Sequence, residues 1–375
     1  MKILIAPLCS RFERFASCNN VQNGYCVSMM NGDTVGMTPR SGRRFQVAEA
    51  PVPGPIRIGV SACVLGQPVR WDGGHKHNFF VLGTLGPAVE LVPLCPEVEI
   101  GLGTPRDPLR LVARSKGEAP RLVTPSTGAD HTERMHAYSQ HKLSELKKLD
   151  LCGFVVQRGS PTCGMERVRI YPQQGASAPK TKPPHVGRGV FTTELMREFP
   201  HLPVEEDGRL SDTLLREHFV ERILAYGRLR DLLASDWTAG DLVAFHSREK
   251  LLVLAHSDYR PLGRLVARGK DYPLEEWGRR YRELFLSALA KPATVKRHVN
   301  VLQHVAGYFR PGLDAASRGE VAELIEAYRQ KLVPLVVPLT LMRHHARKLG
   351  LQYLNVQSYL NGHPRELLPL NHLDG

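Results

Sequence analysis

Hydrophobic and polar positions follow two different rhythms along this chain. In the first half, short apolar runs end in small or turn-forming residues. IRIGVSACVLG is almost continuously apolar over Ile56–Val60 and then breaks into a loop at Ser61–Gly66. Such a run, bounded by turn residues, predicts a buried strand. The pattern returns at Val89–Leu94, followed by a loop through Cys95, Gly101 and Gly103, and at Gly153–Gln157, followed by a loop over Gly159–Gly164. Residues 132–149 place Met135, Tyr138, Leu143, Leu146 and Leu149 among polar neighbours, which predicts a helix. Another helix is expected from Thr192, and LPVEEDGRL can close the sheet. PQQGASAPKTKPPHVGRG (172–189) predicts a mobile loop.

Beyond about residue 210 the period changes to that of a helix. Leu215, Phe219, Ile223 and Tyr226 recur at three- and four-residue steps. So do Val295, Val299, Leu302, Ala306 and Phe309, and Val321, Leu324, Ile325, Tyr328 and Leu332. Ser211 or Asp212, and Thr294, are positioned to cap two of these helices. The expected fold class is therefore an α/β Rossmann-like N-terminal domain with a mostly parallel sheet, followed by an all-α C-terminal domain. The expected division is an extension over 1–50, an α/β domain over 51–210 and a helical domain over 211–375. Residues 1–50 show neither periodicity. They read as a disordered arm or a mis-assigned start, with Met29, Met30 and Met37 as internal start candidates.

Composition narrows the partners. Lys and Arg number 50 against 37 Asp and Glu, a net charge of +13, which favours polyanions such as nucleic acid. No run approaches the ~20 apolar residues of a membrane span; the nearest, Leu332–Met342, is short and interrupted by Pro334 and Pro338. No clean cleavage site follows the N-terminal MKILIAPLCSRF, so a cytoplasmic protein with reduced thiols is expected.

Three of the seven cysteines share one context. Cys63 (SACVLG), Cys95 (PLCPEVEIG) and Cys163 (SPTCG) each follow a predicted strand and sit in a Gly- or Pro-bearing turn. If the strands are parallel neighbours, their loops emerge on one edge of the sheet and the three thiols converge there. A closed zinc site wants four ligands, as does an ordinary iron–sulfur cluster, whereas three thiolates leave a coordination position open for catalysis. Spacing alone leaves zinc and cluster both open.

The segments VSACVLGQPVRWDGGHKHN, LCPEVEIGLGTPRDPLRLV and RGSPTCG together resemble the thiouracil desulfidase family over about 55–210, with all three cysteines in order. DLVAFHSREKLLVLAHS, RHVNVLQHVAGYF, VPLVVPLTLMRHH and YLNGHPRELLPLN resemble the YbgA-type helical domain. Chains that join the two look like RNA 4-thiouridine desulfidases. The resemblance implies a [4Fe–4S] cluster on Cys63, Cys95 and Cys163, with one iron left to bind the thiocarbonyl sulfur of a thiolated uracil or tRNA. It also implies a catalytic Glu97 and a substrate-orienting Ser160. Ser61 and Asp72 are further candidates for the substrate pocket, with Asp72 before Gly73-Gly74 equally suited to a turn.

Charge concentrates in the helical half, where residues 260–310 hold 11 basic and 4 acidic residues. Lys296 and His304, flanked by Arg297, follow one helix face, and Arg343 and Lys348 belong to RHHARK. These are the candidate RNA contacts; His344-His345 is expected at the surface or facing RNA. The leading expectation is hydrolysis of the C=S group of 4-thiouridine, in tRNA or as the nucleoside or base, with release of sulfide. The alternatives are a desulfidase of free 2- or 4-thiouracil only, a non-catalytic iron–sulfur RNA-binding protein, and a zinc protein.

Overall fold

A computed structural model describes residues 54–113, 117–172 and 185–361. The extension expected over 1–50 lies outside the described residues, as does most of the loop expected over 172–189. In chain order the α/β part runs β1 (Arg57–Ser61), β2 (Glu90–Leu94), α1 (Pro96–Glu99), β3 (Arg110–Ala113), β4 (Arg121–Val123), α2 (Thr132–Lys147), β5 (Gly153–Val156), β6 (Val168–Pro172), β7 (His185–Gly187), α3 (Val190–Glu198) and β8 (Val204–Glu206).

The strands form two four-stranded sheets, ordered β2-β1-β5-β8 and β4-β3-β6-β7. The first is wholly parallel, with Gly59 opposite both Val92 and Phe154 and Val155 opposite Glu205. Its central strands are covered on both faces, which is why Ile58, Val60, Phe154 and Val155 are fully buried or nearly so and read as continuous apolar runs. The segment LPVEEDGRL does close this sheet, as β8. The second sheet combines a parallel β3–β6 pair with antiparallel β4 and β7 at its edges. It departs from the sequence reading: β3, β4 and β6 fall outside the predicted strands, and β7 occupies residues expected to be loop. The loop expected after β2 also contains α1.

From Thr213 the described chain is helical: α4 (Thr213–Ala234), α5 (Ala239–His256), α6 (Arg260–Ala267), α7 (Leu274–Ala288), α8 (Val295–Gly307), α9 (Ala315–Arg329), α10 (Val336–Lys348), α11 (Gln352–Asn355) and α12 (Ser358–Asn361). Of the two proposed caps for α4, Asp212 performs the role, its carboxylate accepting from Leu215 N at 3.1 Å. Thr294 caps α8 by accepting from Arg297 N. The α/β and helical parts pack directly. A Cβ on Gly153 would lie 2.6 Å from the Ile223 side chain of α4, so only glycine admits that approach. The Arg216 guanidinium lies 5.0 Å from the Phe80 ring centroid, and Gly54 N donates to Asp231 at 2.7 Å. Among the described residues no helix is long and apolar enough to cross a membrane.

Candidate active site

The parallel sheet sends three loops out of one edge. After β1 the chain makes a tight turn over Ala62–Leu65 that carries Cys63. After β2, Cys95 precedes α1 and Glu97 lies in that helix's first turn. After β5, a loop through Ser160 and Thr162 ends at Cys163. The loop is seated by close backbone contact: a Cβ on Gly189 would meet Thr162 O at 2.4 Å. Ser61, Cys63, Cys95, Glu97, Ser160 and Cys163 all line one cavity of about 360 Å³.

Cys63 and Cys163 are buried and Cys95 is half-buried; all three are free thiols. Burial pushes the Cys63 thiol up to about 12, with the neighbouring Cys95 adding to the rise. Burial also raises Cys163, followed by the negative charge of Glu97 and the two other thiolates. Burial raises Cys95 as well. Three buried or half-buried thiols that repel one another as thiolates around one cavity form a donor set suited to a cationic centre. Among the described residues no three His, Cys, Asp or Glu side chains stand close enough to share one metal ion. A cluster differs from a single ion here, because each thiolate binds its own iron and the ligands stand apart. The remaining described cysteine, Cys152, precedes β5 at the opposite edge of the sheet, its Sγ 3.0 Å from Arg230 Nη1.

Glu97 is buried and held from both sides. Arg106 donates to Oε2 through Nε at 2.9 Å and Nη2 at 2.5 Å. The same guanidinium donates through Nη1 to Gly103 O at 2.8 Å and Val69 O at 3.0 Å, so it ties two loops to the carboxylate. Thr162 Oγ1 donates to Glu97 Oε1 at 2.7 Å, and Ser160 Oγ lies 3.5 Å from the same oxygen. Ser160 Oγ also accepts from Thr162 N at 3.2 Å and Cys163 N at 3.1 Å, folding the turn that presents Cys163. Arg106 and Thr162 were not singled out from sequence. The available signal was the arginine in GTPRDP and the threonine inside SPTCG.

The other candidates divide. Ser61 is buried and accepts from Gln157 N at 3.1 Å, joining the ends of β1 and β5. Asp72 is exposed and accepts from Gly74 N at 3.0 Å in a turn. That bond, and then Arg70, hold its carboxyl below the usual range; Trp71, not Asp72, lines the cavity. Lys296, Arg297 and His304 gather at a second cavity of about 600 Å³ beside Tyr259 and Thr294. Arg343 is half-buried on α10, donating to Thr340 Oγ1 at 3.1 Å, and Lys348 is exposed on the same helix. None of these five lines the thiol cavity. His345, expected at the surface, is instead buried, its ring 5.9 Å from Phe309. Packing of α10 turns His344 outward and His345 inward, as adjacent helical positions must.

Comparison with known proteins bears out both resemblances read from the motifs. Residues 58–207 match the 2-thiouracil desulfurase family, and residues 250–364 match a family described as a protein of unknown function, DUF1722. YbgA of Escherichia coli (strain K12) is 39% identical over 147 residues, which cover 38% of this chain and 87% of YbgA. YbbK of Bacillus subtilis (strain 168) is 29% identical over 110 residues, covering 28% of this chain and 71% of YbbK. Among solved structures, the [4Fe–4S]-dependent thiouracil desulfidase TudS matches at 32% identity with a TM-score of 0.33, over 42% of this chain and 93% of its own. A stretch that matches the 2-thiouracil desulfurase family thus precedes a helical region that matches DUF1722. Through that helical region the chain belongs to the YbgA family.

Proposed function

We propose that this protein converts the C=S group of a thiolated uracil to C=O with release of sulfide, using a [4Fe–4S] cluster held by Cys63, Cys95 and Cys163. The observation that carries the reading is the convergence of those thiols and Glu97 on one cavity of about 360 Å³. When bound, such a cluster supplies a Lewis-acidic iron that draws electron density from the thiocarbonyl and makes the ring carbon electrophilic.

The chain's own residues supply the proton chemistry. With Oε2 occupied by Arg106, Glu97 offers Oε1 to a water at the ring carbon and takes its proton. Thr162 and Ser160 fix that oxygen's direction. The water oxygen forms the new C–O bond, the C–S bond breaks as the hydroxyl proton is given up to form C=O, and both water protons, one of them by way of Glu97, leave with the sulfur. Water and a thiocarbonyl give a carbonyl and hydrogen sulfide, so no net redox change occurs. Half-exposed Trp71 lines the same cavity and can cover the flat ring.

In its finer form the proposal takes 4-thiouridine, carried on tRNA or as the nucleoside, as substrate. The excess of basic residues and the α8 cavity with Lys296, Arg297 and His304 support this form. Residues 51–210 would then hold the chemistry, with 211–375 helping to hold RNA. The test begins with anaerobic reconstitution and counting iron and acid-labile sulfide, expected at about four each per chain. Sulfide release is then followed with 4-thiouracil, 4-thiouridine and thiolated tRNA. A loaded protein that turns over none of the three overturns the desulfidase; activity on the base alone assigns it the free-thiouracil alternative.

A further inference from the structure

Folding leaves few buried polar atoms without a hydrogen bond, because each one forfeits its hydration. Among the described residues, the side chains that do so are Tyr138, Arg248, His345 and Tyr353. The last three belong to the helical part. Tyr138 alone belongs to the α/β part, on α2, and its buried hydroxyl is the atom left without a partner.

Packing sets the place of that hydroxyl. α2 lies against α1, the helix that Cys95 opens, and a Cβ on Gly101, just beyond α1, would meet Arg134 of α2 at 2.9 Å. The Tyr138 ring also lies 6.3 Å from the Phe191 ring of α3. α3 in turn begins against the Cys163 loop, where Val190 N donates to Pro161 O at 3.1 Å. Tyr138 therefore stands between the elements that seat Cys95 and Cys163. Burial raises the pKa of the phenol, followed by Glu99 and then by the charges of Cys163 and Cys95 as thiolates. The hydroxyl thus keeps its proton within electrostatic reach of both sulfurs.

The chain's own groups do not take that proton. Glu99 Oε1 accepts from Cys95 N at 3.3 Å and Oε2 faces Lys142 Nζ at 2.9 Å, and neither oxygen stands in hydrogen-bond geometry to Tyr138. Thr162 Oγ1 lies 3.6 Å from Cys163 Sγ, but it has one proton and a shorter bond, 2.7 Å, to Glu97. A phenol with an uncommitted proton beside two thiols acquires an acceptor when those thiols hold metal, because the sulfurs then carry negative charge.

We propose that the Tyr138 hydroxyl donates a hydrogen bond to a sulfur on the Cys95–Cys163 side of the [4Fe–4S] cluster. Tyr138 is then a positioning residue. By drawing electron density from the sulfur, it keeps the open iron a stronger Lewis acid and holds the cluster in place. The inference rests on the cluster assigned under the proposed function.

The test uses the full chain, reconstituted anaerobically, and Tyr138→Phe, which removes one oxygen and keeps the ring. Redox titration followed by electron paramagnetic resonance reads the midpoint potential. A donor to sulfur favours the reduced, more negative state, so its loss should move the midpoint to more negative values. The reduced wild type should also show a proton coupling that disappears in heavy water and is missing from Tyr138→Phe. An iron chelator should strip the variant roughly tenfold faster. An unmoved midpoint with an unchanged exchangeable-proton coupling overturns the proposal and leaves the hydroxyl to Glu99. Turnover of 4-thiouracil is scored separately. A loaded wild type without turnover defeats the desulfidase reading, while the potential and the coupling still decide Tyr138. Turnover with both spectroscopic readouts unmoved defeats Tyr138 alone. A chain that takes up zinc in place of iron and sulfide defeats both.

Discussion

Both halves of this chain bury charged and polar side chains, and they use them differently. In the α/β half, Glu97 is held by Arg106 on one oxygen and by Thr162 on the other, yet it lines a cavity shared with three thiols. In the helical half, Glu249 is fully buried but enclosed. Arg228 donates to both of its oxygens at 2.8 and 2.9 Å, and Ser358 Oγ adds a bond at 2.6 Å. His218 and His298 are likewise bonded to Leu289 O and Tyr359. A closed network rigidifies a core and leaves nothing for a ligand to bind. A buried carboxylate therefore points to chemistry when it lines a cavity as well as holding its partners.

The largest expected effect is on the thiols. Cys163→Ala should leave iron well below the about four per chain of the loaded protein and abolish desulfidation; a fully loaded, active variant would remove Cys163 from the proposed donor set. Glu97→Gln should keep the iron content and lose turnover by about 10²–10⁴, since an amide cannot take the water's proton. Wild-type rates in that variant would put Glu97 on the structural side of the comparison, beside Glu249. Conversely, Arg228→Ala should lower the stability of the folded chain by up to about 3–5 kcal/mol in a urea titration, because it leaves the buried Glu249 charge with Arg248, 3.6 Å away, as its remaining cation among the described residues. Little change would mean that the helical network is less closed than its geometry implies.

The smallest effect is on pH. Burial holds His218, His246 and His298 down at about 4 in the folded chain, against 6.5 when free. Between those values the unfolded chain takes up protons that the folded chain refuses, so stability falls as pH drops from 6.5 towards 4. Glu217, raised to about 7 by burial and then by Glu221, acts in the opposite sense between its free value of 4.5 and 7. His345, lowered by burial, joins the three imidazoles, while Glu206, raised by burial, and His256, raised through its bond to Glu221 against its burial, side with Glu217. The four lowered imidazoles outweigh these, so the thermal midpoint should fall on acidification. A midpoint that rises would show the imidazoles to be solvated.

Legibility in the sequence followed the range of the interactions. β1, β2 and β5 could be read because a strand buried on both faces is apolar almost throughout. β3, β4 and β6 could not, because β3 and β4 are only four and three residues long and each opens on an arginine, Arg169 interrupts β6, and β3 pairs with β6 across some sixty positions. The cysteines could be read as a group because each follows a legible strand end. Arg106 and Thr162 could not, since an arginine in a loop acquires meaning only when folding brings a carboxylate to it.

The chain's residue pattern was sufficient to set out a parallel sheet, a helical second half and three cysteines at matching strand ends. Those features depend on local periodicity and on the regular geometry of parallel strands. Tertiary packing decided the rest: that Thr162 reaches Glu97 at the wall of the thiol cavity, and that His345 turns inward onto Phe309. Each is settled by contacts between segments far apart in sequence, and no local pattern encodes the distance at which two side chains will meet.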